Sequence, residues 1–111
     1  MPGHELDHAI EETLETMYER LDVIEDERLD LLLSDGKLVI DIEGAGRFIV
    51  NRQGAAGQVW VAEPGGGWHF DWAPGEGAGG GRWLCSKRGV ELFASVSELL
   101  SAALGKPVDL T

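Results

Sequence analysis

Apolar residues recur at helical spacing from Glu5 to Ile24, in steps of three and four. This periodicity predicts an amphipathic α-helix whose apolar stripe packs on a core. The stripe consists of Leu6, Ile10, Leu14, Met17, Leu21 and Ile24. The opposite arc carries His8 and five acids, which are Glu11, Glu12, Glu15, Glu19 and Asp22. Four like-charged pairs on this arc cost the helix about 1–2 kcal/mol, at about 0.2–0.5 kcal/mol each. We therefore expect the arc either to present its charge to a ligand or to be a solvated face.

Alternation with a period of two predicts strands through the middle of the chain. We predict about six of them, over Leu29–Leu33, Leu38–Ile42, Phe48–Val50, Gln58–Ala62, Trp68–Trp72 and Trp83–Cys85. Asp35-Gly36, between the first two, is typical of a tight hairpin turn because both residues tolerate positive φ. Because the connections are short, we expect neighbouring strands to pair antiparallel in sequence order. The glycine-rich stretch Ala73–Gly81 predicts a flexible loop.

A second helix is predicted from Val90 to Leu104, followed by Gly105 and Pro107 as a stop signal. The order helix, sheet, helix predicts an α+β fold, a two-layer α/β sandwich with an antiparallel sheet and both helices packed on one face. Residues 1–111 then form a single domain. The opposite sheet face is left open. We expect the apolar tail residues Val108 and Leu110 to pack back between the helices.

The charge of the chain is strongly one-sided. Residues 1–43 hold 14 acids and 3 bases, whereas residues 44–111 hold 6 of each, so the first part carries the whole net charge of −11. Such a distribution suits a basic protein surface or cations. It argues against nucleic acid as a direct ligand, because phosphates would be repelled. No apolar run reaches the length of a membrane span, and no targeting signal is visible, so we expect a cytoplasmic protein.

Few residues suggest chemistry beyond this charge. Carboxylates are hard oxygen ligands for Mg²⁺, Ca²⁺, Mn²⁺ or iron, but these would form an exposed and weakly chelating surface. The single cysteine, Cys85, allows no internal disulfide and is expected to be a buried thiol. Trp60 alternates with Val59 and Val61, so it should lie on the open sheet face. It is expected there either as an interface anchor or covered by a neighbouring loop.

Two segments in the middle of the chain resemble the signature of the frataxin family, in its bacterial (CyaY-type) branch. They are Asn51-Arg52-Gln53 and Gln58-Val59-Trp60-Val61, and supporting segments are 19–22, 66–71 and 82–85. The resemblance covers nearly the whole chain and implies the helix–sheet–helix fold. There are departures from the family pattern. Tyr18 stands where relatives often have an acid, 54–57 lacks a proline, and 73–81 is longer than the family's turn.

The resemblance implies a protein that is not itself an enzyme, binds ferrous and ferric iron weakly at its surface, and modulates iron–sulfur cluster synthesis. The implied partners are a cysteine desulfurase and the iron–sulfur scaffold protein. Acidic-ridge positions of the family are matched by Glu11, Glu19 and Asp22, and helical geometry adds Glu15 as a fourth metal-binding candidate. The family's sheet surface for partner contact is matched by Asn51, Gln58 and Trp60. We expect the partner-facing surface to include also Glu12, Glu25, Asp26 and Asp30.

Three functions remain open at this level. The leading one is the iron-binding regulator, acting as a monomer or as iron-driven oligomers. An alternative is ferroxidase or iron-storage activity, in which the carboxylates would support oxidation of Fe²⁺ by O₂. Another is an acidic decoy that mimics DNA and occupies a nucleic-acid-binding protein, although the neutral second half of the chain disfavours it.

Overall fold

The structure is a computed structural model that describes residues 2–53, 57–74 and 81–111, with side chains from Leu6 onward. Its element order is helix, seven strands, helix within these residues. The helices are α1 (Pro2–Asp22) and α2 (Leu92–Leu104). The strands are β1 (Leu29–Ser34), β2 (Lys37–Ile42), β3 (Gly46–Gln53), β4 (Gln58–Glu63), β5 (Gly66–Pro74), β6 (Gly81–Cys85) and β7 (Val90–Glu91). The predicted α+β class, with N- and C-terminal helices on an antiparallel sheet, is confirmed.

The strands form one antiparallel sheet in sequence order, β1 to β7. Consecutive pairing follows from the short turns, in which Gly36 (φ 72°) and Gly44 (φ 85°) adopt the left-handed conformation that glycine tolerates. In the β1–β2 hairpin the register is Leu31 opposite Ile40 and Leu33 opposite Leu38. Alternate side chains therefore point to a helix-covered face and to an open face.

The core lies between the two helices and the covered sheet face. Its buried apolar side chains are Ile10, Leu14, Met17 and Leu21 of α1, Leu38, Ile40, Ile42, Phe48, Val50, Val59, Val61, Phe70, Trp83 and Cys85 of the sheet, and Leu92, Val96, Leu100 and Leu104 of α2. A polar contact joins the layers as well, because the Trp83 indole Nε1 donates to Thr13 Oγ1 at 3.0 Å. Cys85 is a buried free thiol, as predicted.

The C-terminal tail bridges the helices, as predicted from its two apolar residues. Val108 and Leu110 are buried in the same core. The backbone N–H of Leu110 donates to Ser97 Oγ of α2 at 2.9 Å, and its carbonyl accepts from Arg20 Nη1 of α1 at 2.5 Å. The end of α2 is also confirmed. Gly105 has φ 69°, and its N–H donates to Ser101 O at 2.9 Å.

Three predicted boundaries differ from the structure. First, α1 begins at Pro2 and ends at Asp22, where Glu5 to Ile24 was predicted. Second, the predicted helix start at Val90 is wrong, because Val90 and Glu91 form the short seventh strand and α2 begins at Leu92. The reason is the Glu91 carboxylate, which accepts from the N–H groups of Phe93 (2.9 Å) and Ala94 (3.1 Å) and so caps the helix.

Third, the predicted loop Ala73–Gly81 is too wide at both ends. Ala73 pairs with Arg82 and Pro74 with Gly81, so strand pairing between β5 and β6 includes these positions. The prediction of flexibility for residues 75–80 lies outside the described residues. So do residues 54–56 of the connection that lacks the family's proline.

Candidate functional site

The predicted acidic arc of α1 is exposed along its length. We call its five carboxylates, Glu11, Glu12, Glu15, Glu19 and Asp22, the acidic ridge, and all five are exposed. The buried face of the same helix, with Ile10, Leu14, Met17 and Leu21 at 0–1% exposure, holds the ridge outward. Because residues three or four apart have Cβ atoms about 5–6 Å from one another, the ridge is a continuous row of negative charge.

The members of the ridge are not equivalent. Glu12 Oε1 lies 2.9 Å from His8 Nε2, one turn earlier, and both side chains are largely exposed. Glu11 Oε1 accepts from Arg52 Nη1 at 3.2 Å. Glu15, Glu19 and Asp22 make no ion pair or side-chain hydrogen bond with the described part of the chain. The end of the ridge nearest the helix C-terminus is therefore available to an external cation.

Arg52 reaches Glu11 because of the strand alternation in β3. Its neighbours in the motif lie on the open face, while Arg52 lies on the side of α1. Its Nη2 is also 4.0 Å from Asp35 Oδ1 in the β1–β2 turn. A Cβ atom on Gly36 would lie 3.2 Å from Arg52 Nε, so the guanidinium passes over this glycine. The segment Asn51-Arg52-Gln53 thus contacts the acidic ridge through Arg52 and forms part of the open sheet face through its other residues. Sequence spacing alone did not reveal the contact with the ridge.

The ridge is not a chelating centre. Among the described residues, no three His, Cys, Asp or Glu side chains converge closely enough to hold a metal ion. The donor set is nevertheless of the correct chemical type, because carboxylate oxygens suit ferrous and ferric iron. The predicted metal residues Glu11, Glu15, Glu19 and Asp22 lie on one helix face, and their role as iron ligands stays a prediction.

The acids after α1 divide into exposed and internally paired groups. Glu25 and Asp30 are exposed. Asp26 is different, with a side chain only 9% exposed. Its carboxylate lies 2.8 Å from Arg28 Nη2 and 3.1 Å from Lys106 Nζ. Hydrogen bonds from Arg28, then the contact with Lys106, hold the pKa of Asp26 well below its usual range.

This arrangement makes Asp26 a connection between the segment before β1 and the end of α2. Arg28 Nη2 also donates to the carbonyl of Leu104 at 2.9 Å. The predicted partner contact of Asp26 is untested, but its carboxylate is already used within the fold. Asp26 is therefore less available to a partner than the exposed Glu25 and Asp30.

The open sheet face holds an ordered polar and aromatic cluster. Trp60 stacks on His69 of β5 with ring centroids 4.2 Å apart and an interplanar angle of 8°. Trp60 Nε1 donates to Gln58 Oε1 at 2.7 Å, and Gln58 Nε2 donates to Asp71 Oδ1 at 2.9 Å. Asn51 lies directly opposite Trp60 in the register. The structure thus brings together the predicted residues Asn51, Gln58 and Trp60 in a single cluster.

An apolar row beside this cluster was missed from the sequence. Leu32 pairs with Val39, Val39 with Ile49, and Ile49 with Ala62 across β1 to β4. Leu32 is 61% exposed. In the uninterrupted run Leu31-Leu32-Leu33 the sequence does not show which leucine faces solvent. The alternation in β2 was the available signal, because Leu32 pairs with Val39, which lies between the buried Leu38 and Ile40. Exposed apolar rows bordered by polar groups are typical of protein contact surfaces.

These features define a small α+β protein with an acidic helix on one side of a sheet and a polar, aromatic face on the other. Residues 1–106 match the sequence profile of the frataxin-like domain. The chain therefore belongs to the frataxin family, as its signature segments suggested.

Relatives agree with this assignment. The iron–sulfur cluster assembly protein CyaY of Thioalkalivibrio sulfidiphilus (strain HL-EbGR7) is 37% identical over 106 residues, covering 93% of this chain and 92% of that protein. The frataxin of Psychromonas ingrahamii superposes with a TM-score of 0.86 at 22% identity, covering 100% of this chain and 99% of that one. Trimeric frataxin from the yeast Saccharomyces cerevisiae, complexed with ferrous iron, superposes with a TM-score of 0.62 at 23% identity, covering 96% and 88%. Within the described residues, neither helix is both long and apolar enough to cross a membrane.

Proposed function

We propose that this protein regulates iron–sulfur cluster assembly by docking its acidic ridge on a basic surface of a cysteine desulfurase. The observation that carries the proposal is a row of exposed carboxylates that have no ion pair or side-chain hydrogen bond among the described residues, namely Glu15, Glu19 and Asp22. Such a helix is stabilised when an external positive surface relieves the repulsion between its carboxylates. Family membership and the name of the CyaY relative support cluster assembly as the process.

The open face is the second contact surface in this proposal. The Trp60–His69 stack and the Gln58 hydrogen bonds hold the tryptophan in one orientation before a partner binds. Rigid aromatic groups bordered by polar side chains are favoured as binding anchors, because little side-chain entropy is lost. We assign this face to the iron–sulfur scaffold protein. Asn51 of β3 and the exposed Leu32 of β1 extend the surface from the tryptophan toward the β1 edge.

Iron enters the proposal as a weakly bound cargo of the ridge. The carboxylates are exposed and share no enclosed site, so bound iron keeps much of its hydration and exchanges readily. Because iron and a basic protein surface compete for the same charges, iron loading should weaken desulfurase docking. We propose that this competition makes cluster synthesis respond to iron. The ferroxidase or storage alternative and the acidic decoy stay untested, as does the oligomeric state.

The docking proposal is tested by matched charge reversals. Glu19→Lys changes an acid of the ridge, and Glu98→Lys changes an exposed acid on α2 by the same chemistry. At about 50 mM salt we expect Glu19→Lys to weaken desulfurase binding about tenfold and Glu98→Lys less than about twofold. At about 500 mM salt the two should converge, because screening shortens the range of the charges.

Binding is measured by biolayer interferometry, and an NMR titration locates the contact. The double variant Glu19→Lys with Asp22→Lys should lose binding at low salt. Equal affinities of the Glu19 and Glu98 variants would overturn the ridge-docking proposal. Thermal melts of each variant check that the fold is retained.

A further inference from the structure

A cleft beside β5 has no described residue of α1, and so none of the acidic ridge, among its walls. It is lined by β5 and by the β6–β7 turn, with Trp68, His69, Ser86, Lys87 and Arg88 among its walls. The cleft exists because β5 pairs with β6 only through residues 71–74. The first half of β5 therefore has no strand neighbour on this side among the described residues. The turn beside it is held by hydrogen bonds from the N–H groups of Arg88 (3.2 Å) and Gly89 (2.7 Å) to Cys85 O.

The basic side chains of this cleft differ from the arginines that form ion pairs within the fold. Arg28, Arg47 and Arg52 each pair with a carboxylate. Lys87 and Arg88 are exposed and form no ion pair within the described chain. Their positive charge is therefore not neutralised internally, even though the protein as a whole is strongly acidic.

Arg88 is held in one position by an aromatic contact. Its Cζ lies 3.6 Å from the centroid of the Trp68 ring. The ring is fixed in turn, because Trp68 Nε1 donates to Glu63 Oε2 at 3.1 Å. The planar guanidinium keeps its edge N–H groups for a carboxylate while its face rests on the indole. Two carboxylates near the cleft already have hydrogen bonds, Glu63 with the Trp68 indole and Asp71 with Gln58.

The cleft is separated from most of the acids of the chain. None of the described residues of α1 is among its walls, so no carboxylate of the acidic ridge lines it. The acids on β1 and β2, such as Asp30 and Asp41, lie three or four strand spacings from β5, which is about 14–19 Å at about 4.8 Å each. The Debye length at physiological salt is about 8 Å, so the field of these acids is largely screened at the cleft. A net charge of −11 therefore does not prevent an anion from binding here.

We propose that this cleft binds a carboxylate-bearing segment of a partner protein, through Lys87 and the Trp68-supported guanidinium of Arg88. The cleft shares His69 with the Trp60 stack, so such a segment would continue directly from the open face. The partner therefore needs to present an acidic segment beside the surface that covers Trp60. This inference goes beyond ridge docking, which requires a basic partner surface.

The test uses an acidic peptide and does not involve the desulfurase or the scaffold protein, so its failure is distinguishable from failure of ridge docking. ¹⁵N-labelled protein is titrated with capped hexaglutamate, and capped hexaglutamine serves as the uncharged control peptide. We expect saturable shifts at the amides of 86–89 and at the indole N–H of Trp68, with none from hexaglutamine. Lys87→Gln with Arg88→Gln should weaken binding about fivefold or more.

Matched variants separate a specific site from general electrostatics. Arg82→Gln removes an exposed arginine of β6 that has no ion pair among the described residues, and it should leave the affinity unchanged. Lys87→Gln alone keeps the Arg88–Trp68 contact and should still weaken binding. Equal weakening by Arg82→Gln, or no shifts at the turn, would overturn the proposal. So would inorganic phosphate binding as tightly as the peptide, or self-association of the wild type that the double variant abolishes.

Discussion

The ion pair between Arg52 and Glu11 offers the sharpest test of where iron binds on the ridge. Arg52 Nη1 lies 3.2 Å from Glu11 Oε1, and the two side chains are 28% and 49% exposed. A cation that binds Glu11 has to displace this guanidinium and then remain close to its positive charge. Arg52→Gln removes both obstacles while keeping a polar side chain at the position. We therefore expect this variant to bind Fe²⁺ more tightly than the wild type.

The size of the effect follows from two contributions. A partly exposed ion pair of this kind is worth about 0.5 kcal/mol. Repulsion between a divalent ion and a guanidinium about 6 Å away is about 1.4 kcal/mol in water before screening, and about half of that at moderate salt. Together they give about 1.2 kcal/mol. The affinity of the ridge for Fe²⁺ should therefore rise about fivefold to tenfold in Arg52→Gln.

Anaerobic calorimetric titration with Fe²⁺ measures the affinity, and paramagnetic broadening of α1 amides reports the location. Arg47→Gln is the matched control, because Arg47 Nε pairs with Asp41 Oδ1 at 2.9 Å on the open face, away from α1. It should bind Fe²⁺ as the wild type does. Unchanged or weaker Fe²⁺ binding by Arg52→Gln would refute the participation of Glu11. Iron would then bind the ridge beyond the reach of Arg52, toward Glu19.

Two further predictions concern the fold that supports these surfaces. Leu110→Ala should destabilise the protein by about 2–3 kcal/mol and lower Tm by about 10 °C, because a side chain 1% exposed leaves a cavity in the core. Asp109→Ala on the same tail should have little effect, and a Tm change below about 2 °C for Leu110→Ala would contradict tail docking. Asp26→Asn should lower Tm at pH 7, because the paired carboxylate has a lowered pKa in the folded state. The stabilisation by the Asp26 carboxylate is fully present above the usual carboxylate pKa and is lost as pH falls toward its lowered pKa in the folded state. The Tm values of wild type and Asp26→Asn should therefore begin to converge below about pH 4. A Tm difference that does not change with pH would contradict this prediction.

The sequence determined the elements of this protein because helices and strands have local signatures. Helical steps of three and four located the buried face of α1, and alternation located the covered face of β2 and β4. Gly105 marked the end of α2, and the signature around Trp60 identified the family. The start of α2 was less visible, since glutamate is an uncommon cap and Glu91 acts as one only through its particular side-chain geometry.

Only the tertiary structure decided which charges are free to meet a partner. Arg52 and Glu11 are 41 positions apart in the chain, and Lys106 pairs with Asp26 from near the other end of the sequence. Arg88 packs on the Trp68 ring and forms no ion pair with the described part of the chain. Periodicity assigns a residue to a face, but the pairing of side chains depends on strand register and on how helices pack across the sheet. Composition therefore determined the sign of the surface, and packing determined which carboxylates and which guanidinium groups remain available for binding.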